Sequence, residues 1–302
     1  MKQILITGSN GLLGQKLVSA LLNKNTFQII ATSKGENRIN QNGGFTYQSL
    51  DITNKQEVDA IISKYTPDII INTAAMTNVD ACETQKEECW KLNVTAVEYM
   101  VSAIEKFTPN AHFIQLSTDF IFDGEKGSAY TEEDAPNPLS YYALSKWEAE
   151  KRVMVSNIKW AIARTIIVYG IVDNMSRSNI VLWAKDALTK GQKINVVDDQ
   201  FRSPTLAEDL AVGCILIAEK EATGVFNISG PKTLSVLEIV NAVADYWKLD
   251  KSLITPSKST TLNQAAKRPP RTGFVIDKAI KELGYAPHSF EEGLAILDKQ
   301  LK

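Results

Sequence analysis

Residues 3–14, QILITGSNGLLG, decide the fold. The β-branched run Gln3 to Thr7 leads directly into Gly8, Gly11 and Gly14 at spacing GxxGxxG, and Leu12, Leu13, Leu17 and Leu21 then follow a helical period. Strand, glycine turn and helix in that order suit a pyrophosphate. The glycines allow a tight turn and close backbone approach, and the first N–H groups of the helix meet the anion. Gly8, Ser9, Asn10, Gly11, Leu12, Leu13 and Gly14 are therefore candidate contacts of a dinucleotide. The next apolar run, Gln28 to Thr32, completes a βαβ unit.

The alternation continues outward. Asn54 and Glu57 read as a capping box opening a helix whose apolar face is Val58, Ile61, Ile62 and Tyr65. Pro67 ends that helix, and Asp68 to Asn72 is a buried strand. A helix around 85–107, a strand from His112 to Leu116, a helix over about 141–156 and a strand from Trp160 to Arg164 extend the series. Repeated βα units with apolar strands predict an α/β fold, a Rossmann-type doubly wound parallel sheet covered on both faces. The dinucleotide-binding domain is expected over 1–170. After Gly170 helices near 177–190, 206–220 and 235–247 are interleaved with Pro, Gly and Asn, which predicts a smaller, mixed substrate-binding lobe over 171–302. Segments near 200–230, Gly224 to Ser229 above all, are expected to return to the main sheet.

Composition narrows the function. The 302 residues carry 33 Lys+Arg against 35 Asp+Glu, a formal charge of −2, with no basic cluster of the kind that nucleic acid or a polybasic membrane surface requires. The longest apolar run, Leu210 to Ala218, falls far short of the roughly 20 residues that span a bilayer. With no secretory pattern before the first strand, a cytoplasmic location is expected. Cys82, Cys89 and Cys214 have no CxxC spacing, and His112 and His288 are the only histidines, so no metal centre is expected.

In such folds the tip of the second strand meets the adenosine ribose, where an acid selects NAD and a cation accommodates the NADP 2′-phosphate. Here Ser33 and Lys34 end that strand, Arg38 follows, and no acid precedes Glu36. NADPH is the expected cofactor, with NADH admissible and Lys34 and Arg38 otherwise plain solvated charges. Leu50, Asp51 and Ile52 could cover the adenine, with Asp51 on its amino group, and Asn72, Thr73, Ala74 and Ala75 end a strand where small residues would let the cofactor pass. A second constellation is Tyr142 with Lys146, an i, i+4 pair whose phenol and ammonium share one helix face, so the Lys charge is expected to lower the Tyr pKa. A hydroxyl from Thr118 or Ser117, at a strand's carboxyl end, would hold a carbonyl oxygen beside the phenol.

The segments TGSNGLLG, NTAA, STDFIFDG, YYALSK and DDQFRSPTLAEDLA together resemble the extended short-chain dehydrogenases/reductases, and among them the dTDP-4-dehydrorhamnose reductase group, over nearly the whole length. The resemblance implies reduction of a 4-keto sugar nucleotide by a nicotinamide hydride. Tyr142 would be the general acid, Lys146 its partner and a contact of the nicotinamide ribose, and Thr118 the hydroxyl polarising the carbonyl, with Ser117 the second choice. It implies that Met76 to Asp80, with Thr77 and Val79, lies beside substrate and nicotinamide. Asn93 matches the family's Asn on the helix that follows. Asp119, Phe120, Ile167 and Arg202 would stand on the substrate side, and Arg202 to Thr205 with Arg268 to Arg271 near the diphosphate.

Phe120 and Ile167 stand where rhamnose reductases favour Tyr and Trp, and Arg202 where many relatives have Gly, as an added phosphate contact or a surface charge. Gln15 replaces the acid that some members use in a magnesium-bridged dimer. A homodimer remains compatible with the pattern. The alternatives implied are a sugar-nucleotide epimerase or dehydratase, and an NADP-binding regulatory subunit such as the β subunit of methionine adenosyltransferase.

Overall fold

Strands β1 (Lys2–Thr7), β2 (Phe27–Ser33), β3 (Phe45–Ser49), β4 (Ile69–Asn72), β5 (His112–Thr118), β6 (Lys159–Thr165) and β7 (Gly224–Asn227) form one sheet in the order β7-β6-β5-β4-β1-β2-β3. Every neighbouring pair is parallel. Strands so paired must be joined by crossovers, and the order reverses between β1 and β4, opening a crevice at their carboxyl ends. The structure is a computed structural model and describes residues 1–41, 43–175, 177–261 and 264–302. All residues of β4 and β5 are buried, as central strands covered on both faces require.

Helices α1 (Leu12–Lys24) and α8 (Ala207–Glu219) cover one face, where Leu17, Val18 and Leu21 pack with Leu210, Cys214 and Ile217. Helices α2 (Lys55–Tyr65), α5 (Ala96–Phe107) and α6 (Tyr141–Met154) cover the other through Val58, Ile62, Met100, Ile104 and Val153. Both α8 and β7 come from beyond residue 200 and return to the main sheet. A separate apolar cluster is built from α7 (Ile180–Thr189), α9 (Val236–Trp247) and α10 (Phe290–Gln300), with Val181, Ile239, Val243 and Leu297 at its centre. Among the described residues no helix is long and apolar enough to cross a membrane.

Three expectations are corrected. Strand β3 has no counterpart in the sequence reading, because its polar residues leave it half exposed at the sheet edge. The helix expected over 85–107 is α4 (Lys86–Trp90), a π turn at Lys91–Thr95 and α5, preceded by the short α3 (Val79–Thr84). The widened turn carries Asn93, whose Oδ1 accepts from Met76 N at 2.8 Å and whose Nδ2 donates to Ser145 Oγ at 2.9 Å. Asn54 does cap α2, but Glu57 turns to Asp51 N (2.9 Å) and Asn54 Nδ2 (2.8 Å) rather than closing a capping box.

Candidate active site

The crevice between β1 and β4 is lined by Gly8, Gly11, Ser33, Lys34, Leu50, Asp51, Ile52, Thr73, Ala74, Ala75 and Leu92, and encloses about 250 Å³. Gly8 has φ +68°, and a Cβ there would lie 2.8 Å from Ala74 N. A Cβ on Gly14 would lie 2.3 Å from Gly8 O, so these two glycines let β1, β4 and α1 close together. Gly11, the N-cap of α1, offers no side-chain cap, which leaves the positive end of the helix open to an anion. This cradle, free of side chains at the helix N-terminus, fits the pyrophosphate of a nicotinamide dinucleotide. The Ser9 N–H donates to Thr32 O at 3.0 Å, and its buried hydroxyl has no hydrogen-bond partner.

Asn10 clamps the loop that follows β2. Its Oδ1 accepts from Arg38 N (2.9 Å) and its Nδ2 donates to Glu36 O (2.8 Å), fixing the loop that carries Arg38. Lys34 lies 2.8 Å from Asp51. Burial pushes the Asp51 carboxyl up, but Lys34 and Thr53 more than offset it and hold the group at about 2. Lys34 is thus already paired, whereas the exposed Arg38 makes no ion pair among the described residues. Gln15 is buried and donates to Asn10 O (3.1 Å) and Asp173 O (2.8 Å). Leu50 and Thr73 belong to the two stretches expected beside the cofactor, whereas Leu92 has no counterpart among the expected residues: it arrives from the distant π turn and left no local signal.

Tyr142 and Lys146 begin α6, which Ser140 caps by accepting from Ala143 N at 3.3 Å. The helix is tied to β6 by a buried pair, Arg164 Nη2 to Glu150 Oε2 at 2.7 Å. Breaking one partner of such a pair costs about 3–5 kcal/mol. Lys146 donates to Leu116 O at 2.7 Å, and burial lowers its pKa to about 8. Tyr142 departs from expectation: burial raises its pKa, and the Thr118 hydroxyl opposes this only in part. The Lys charge does not bring the phenol down here, because its head is directed at a backbone carbonyl while the ring is enclosed by Cys82, Cys89, Met76, Val79 and Phe120.

Phe120 meets the Tyr142 ring edge-on, with centroids 6.1 Å apart. Val79 packs in the same cluster, and Thr77 Oγ1 accepts from Arg177 Nη1 at 3.4 Å. Arg268 pairs with Asp80 at 2.6 Å, closing the 266–271 segment on that loop. Arg202 is not a surface charge: it is 3% exposed, donates to Pro269 O (2.6 Å) and Phe201 O (2.7 Å), and lies 3.8 Å from the buried Asp119. Ile167 is half-buried against the α1/α8 layer with φ 29°, a left-handed backbone that is rare for a β-branched residue. Ser117 is buried with an unpartnered hydroxyl. Thr118, Tyr142 and Lys146 are thus brought together at the end of β5, beside the glycine cleft.

The family model described as RmlD substrate binding domain matches residues 1–302. The chain is 30% identical over 308 residues to dTDP-4-dehydrorhamnose reductase of Aggregatibacter actinomycetemcomitans, covering 97% of each. It is 28% identical to methionine adenosyltransferase 2 subunit beta of Mus musculus, covering 92% of this chain and 89% of that one. Among solved structures, dTDP-4-dehydrorhamnose reductase from Bacillus anthracis in complex with NADP superposes with a TM-score of 0.86 at 27% identity, covering 99% of this chain and 100% of that one.

Proposed function

The chain belongs to the RmlD substrate binding domain family over its whole length, and on that ground we propose that it uses NADPH to reduce the 4-keto group of a nucleotide-activated deoxysugar. The observation that carries this reading is the meeting of Thr118, Tyr142 and Lys146 at the end of β5, next to a cradle fit for a pyrophosphate. NADPH, when bound, supplies the hydride that reaches C4. Hydride addition turns the carbonyl oxygen into an alkoxide, and the Tyr142 phenol, kept protonated by burial, delivers the proton that completes the hydroxyl. Thr118 holds the oxygen beside the phenol. Lys146 stays charged below about pH 8, and its head, held at Leu116 O, is placed to bind the nicotinamide ribose.

Residues 1–170 with the returning 200–230 segments hold the cofactor in this reading, and the remainder of 171–302 holds the sugar nucleotide. Thr77, Val79, Phe120 and the 266–271 segment form the sugar-nucleotide side. Phe120 and Ile167 make a sugar subsite more apolar than one built with Tyr and Trp, so a 4-keto sugar other than dTDP-4-dehydrorhamnose is preferred. A dehydratase would need an acid and a base free to face the sugar. Asp119, the acid nearest Thr118, is enclosed and engaged by Thr118, Thr272 and Arg202, which favours the reductase. The enzyme works in the cytoplasm, where its charged substrate is retained, as a homodimer that light scattering would report.

The test follows NADPH loss with a panel of 4-keto sugar nucleotides made in situ by 4,6-dehydratases. Tyr142→Phe keeps the ring and deletes the proton donor, so turnover falls by about 10²–10⁴ while NADPH affinity is unchanged. NADPH binding without turnover of any member of the panel would instead support a regulatory subunit.

A further inference from the structure

Arg202 sits on the two-residue strand Phe201–Arg202, outside the seven-stranded sheet, yet its guanidinium reaches the catalytic end of β5. It lies 5.4 Å from the centre of the Phe120 ring, and Phe120 in turn meets the Tyr142 ring. Its Nη atoms are spent on the carbonyls of Phe201, Pro269 and Pro270, so it has little left to offer a phosphate. Its Nε lies 3.8 Å from Asp119 Oδ2.

A guanidinium does not give up its proton, so at 3% exposure it requires a counter-charge. Asp119 supplies it. Thr272 donates to Asp119 Oδ2, and the Thr118 hydroxyl donates to Asp119 Oδ1 at 3.1 Å. The Thr118 oxygen also accepts from Phe120 N at 3.3 Å, so in the free protein Asp119 sets which way the Thr118 hydroxyl points until a carbonyl oxygen competes for its proton. The groups facing Asp119 are Thr118 from β5, Arg202, Thr272 and the Tyr142 phenol from α6, with Arg268 beyond Arg202.

We propose that Arg202 is a positioning residue for the reduction: seated between Phe120 and Asp119, it sets the orientation of the Thr118 hydroxyl and of the aromatic wall beside Tyr142. This rests on the reductase reading given above. Burial already raises the Asp119 carboxyl, and Arg202 opposes it together with the Thr272 and Thr118 hydroxyls; removing the guanidinium shifts the balance further toward the protonated acid. A protonated Asp119 no longer offers the Thr118 hydroxyl a fixed acceptor, and Phe120 loses the cation its ring packs on, so both groups beside Tyr142 lose their alignment.

Arg202→Met is compared with Arg202→Lys, which keeps the charge. If Arg202→Met does not fold, Arg202→Gln, which keeps a donor for the proline carbonyls, takes its place with the same expected readings. The neutral variant should lower kcat about tenfold or more with NADPH affinity within about twofold, and Arg202→Lys should recover most of the loss. Asp-labelled protein, with Asp119→Asn to assign the signal, reads Asp119 by carboxyl 13C NMR. Its titration should lie at clearly higher pH in the neutral variant than in the wild type.

The proposal is overturned if the neutral variant keeps kcat within about threefold, if NADPH affinity falls in step with kcat, or if Asp119 is equally ionised in both proteins. Should the wild type reduce no sugar nucleotide, the reductase reading falls on its own. The NMR comparison still decides whether Arg202 sets the charge of Asp119.

Discussion

Arg38→Ala should abolish most of the preference for NADPH over NADH, whereas Lys34→Ala should leave it nearly intact. The two cations stand in different electrostatic positions. Lys34 is 2.8 Å from Asp51, so its charge is already answered before any 2′-phosphate arrives. Arg38 has no such partner among the described residues, and Asn10 fixes its backbone from 2.9 Å, so the loop presents it at little entropic cost. A charge-assisted guanidinium–phosphate contact is worth about 1.5–3 kcal/mol, or about 10- to 160-fold in affinity, and exposure and salt push the value toward the lower end. Fluorescence titration with both nucleotides, at low and physiological salt, measures the ratio directly. Arg38→Ala should bring the two affinities within about threefold, and Asn10→Ala, which releases the loop, should fall between that and the wild type. Asp51→Asn frees Lys34 and should raise the ratio. Loss of the preference in Lys34→Ala with its retention in Arg38→Ala would refute the reasoning.

Two predictions concern pH. His112 is 2% exposed with neither ring nitrogen partnered, and burial holds its pKa down at about 4. The unfolded chain, with a histidine pKa of about 6.5, binds the extra proton between those values. Stability is therefore full above about 6.5 and falls by about 3 kcal/mol as pH drops toward 4. Urea unfolding at several pH values should show the slope, and His112→Phe should flatten it; an unchanged slope would assign the effect to other groups. Asp51 and Glu221, both held near 2, act at lower pH. For catalysis, kcat/KM for reduction should decline as pH rises through about 8, where Lys146 loses its charge, and Lys146→Met should be slow at all pH values without that bend.

The βαβ rhythm, the glycine turn and the Tyr142/Lys146 pair were legible in the sequence because each is a local property. Glycine spacing fixes which backbone can turn, apolar period fixes which face is buried, and an i, i+4 interval places two side chains on one helix face whatever surrounds it. Right-handed crossovers then imply a parallel sheet, and TGSNGLLG at its first turn implies the ligand class. Three features came only from the tertiary structure: the Lys34–Asp51 pair, the burial of Arg202 against Asp119, and the raised pKa of Tyr142. The polar edge strand β3 and the π turn that aims Asn93 at Met76 also left no periodic trace. The reason is the range of the forces involved. Periodicity reports neighbours within one element, whereas the partner of a charge and the dielectric around a phenol are set by residues that distant elements bring together. Arg202 looks like any loop cation until Pro269, Pro270, Phe120 and Asp119 converge on it, and only the closed fold supplies that convergence.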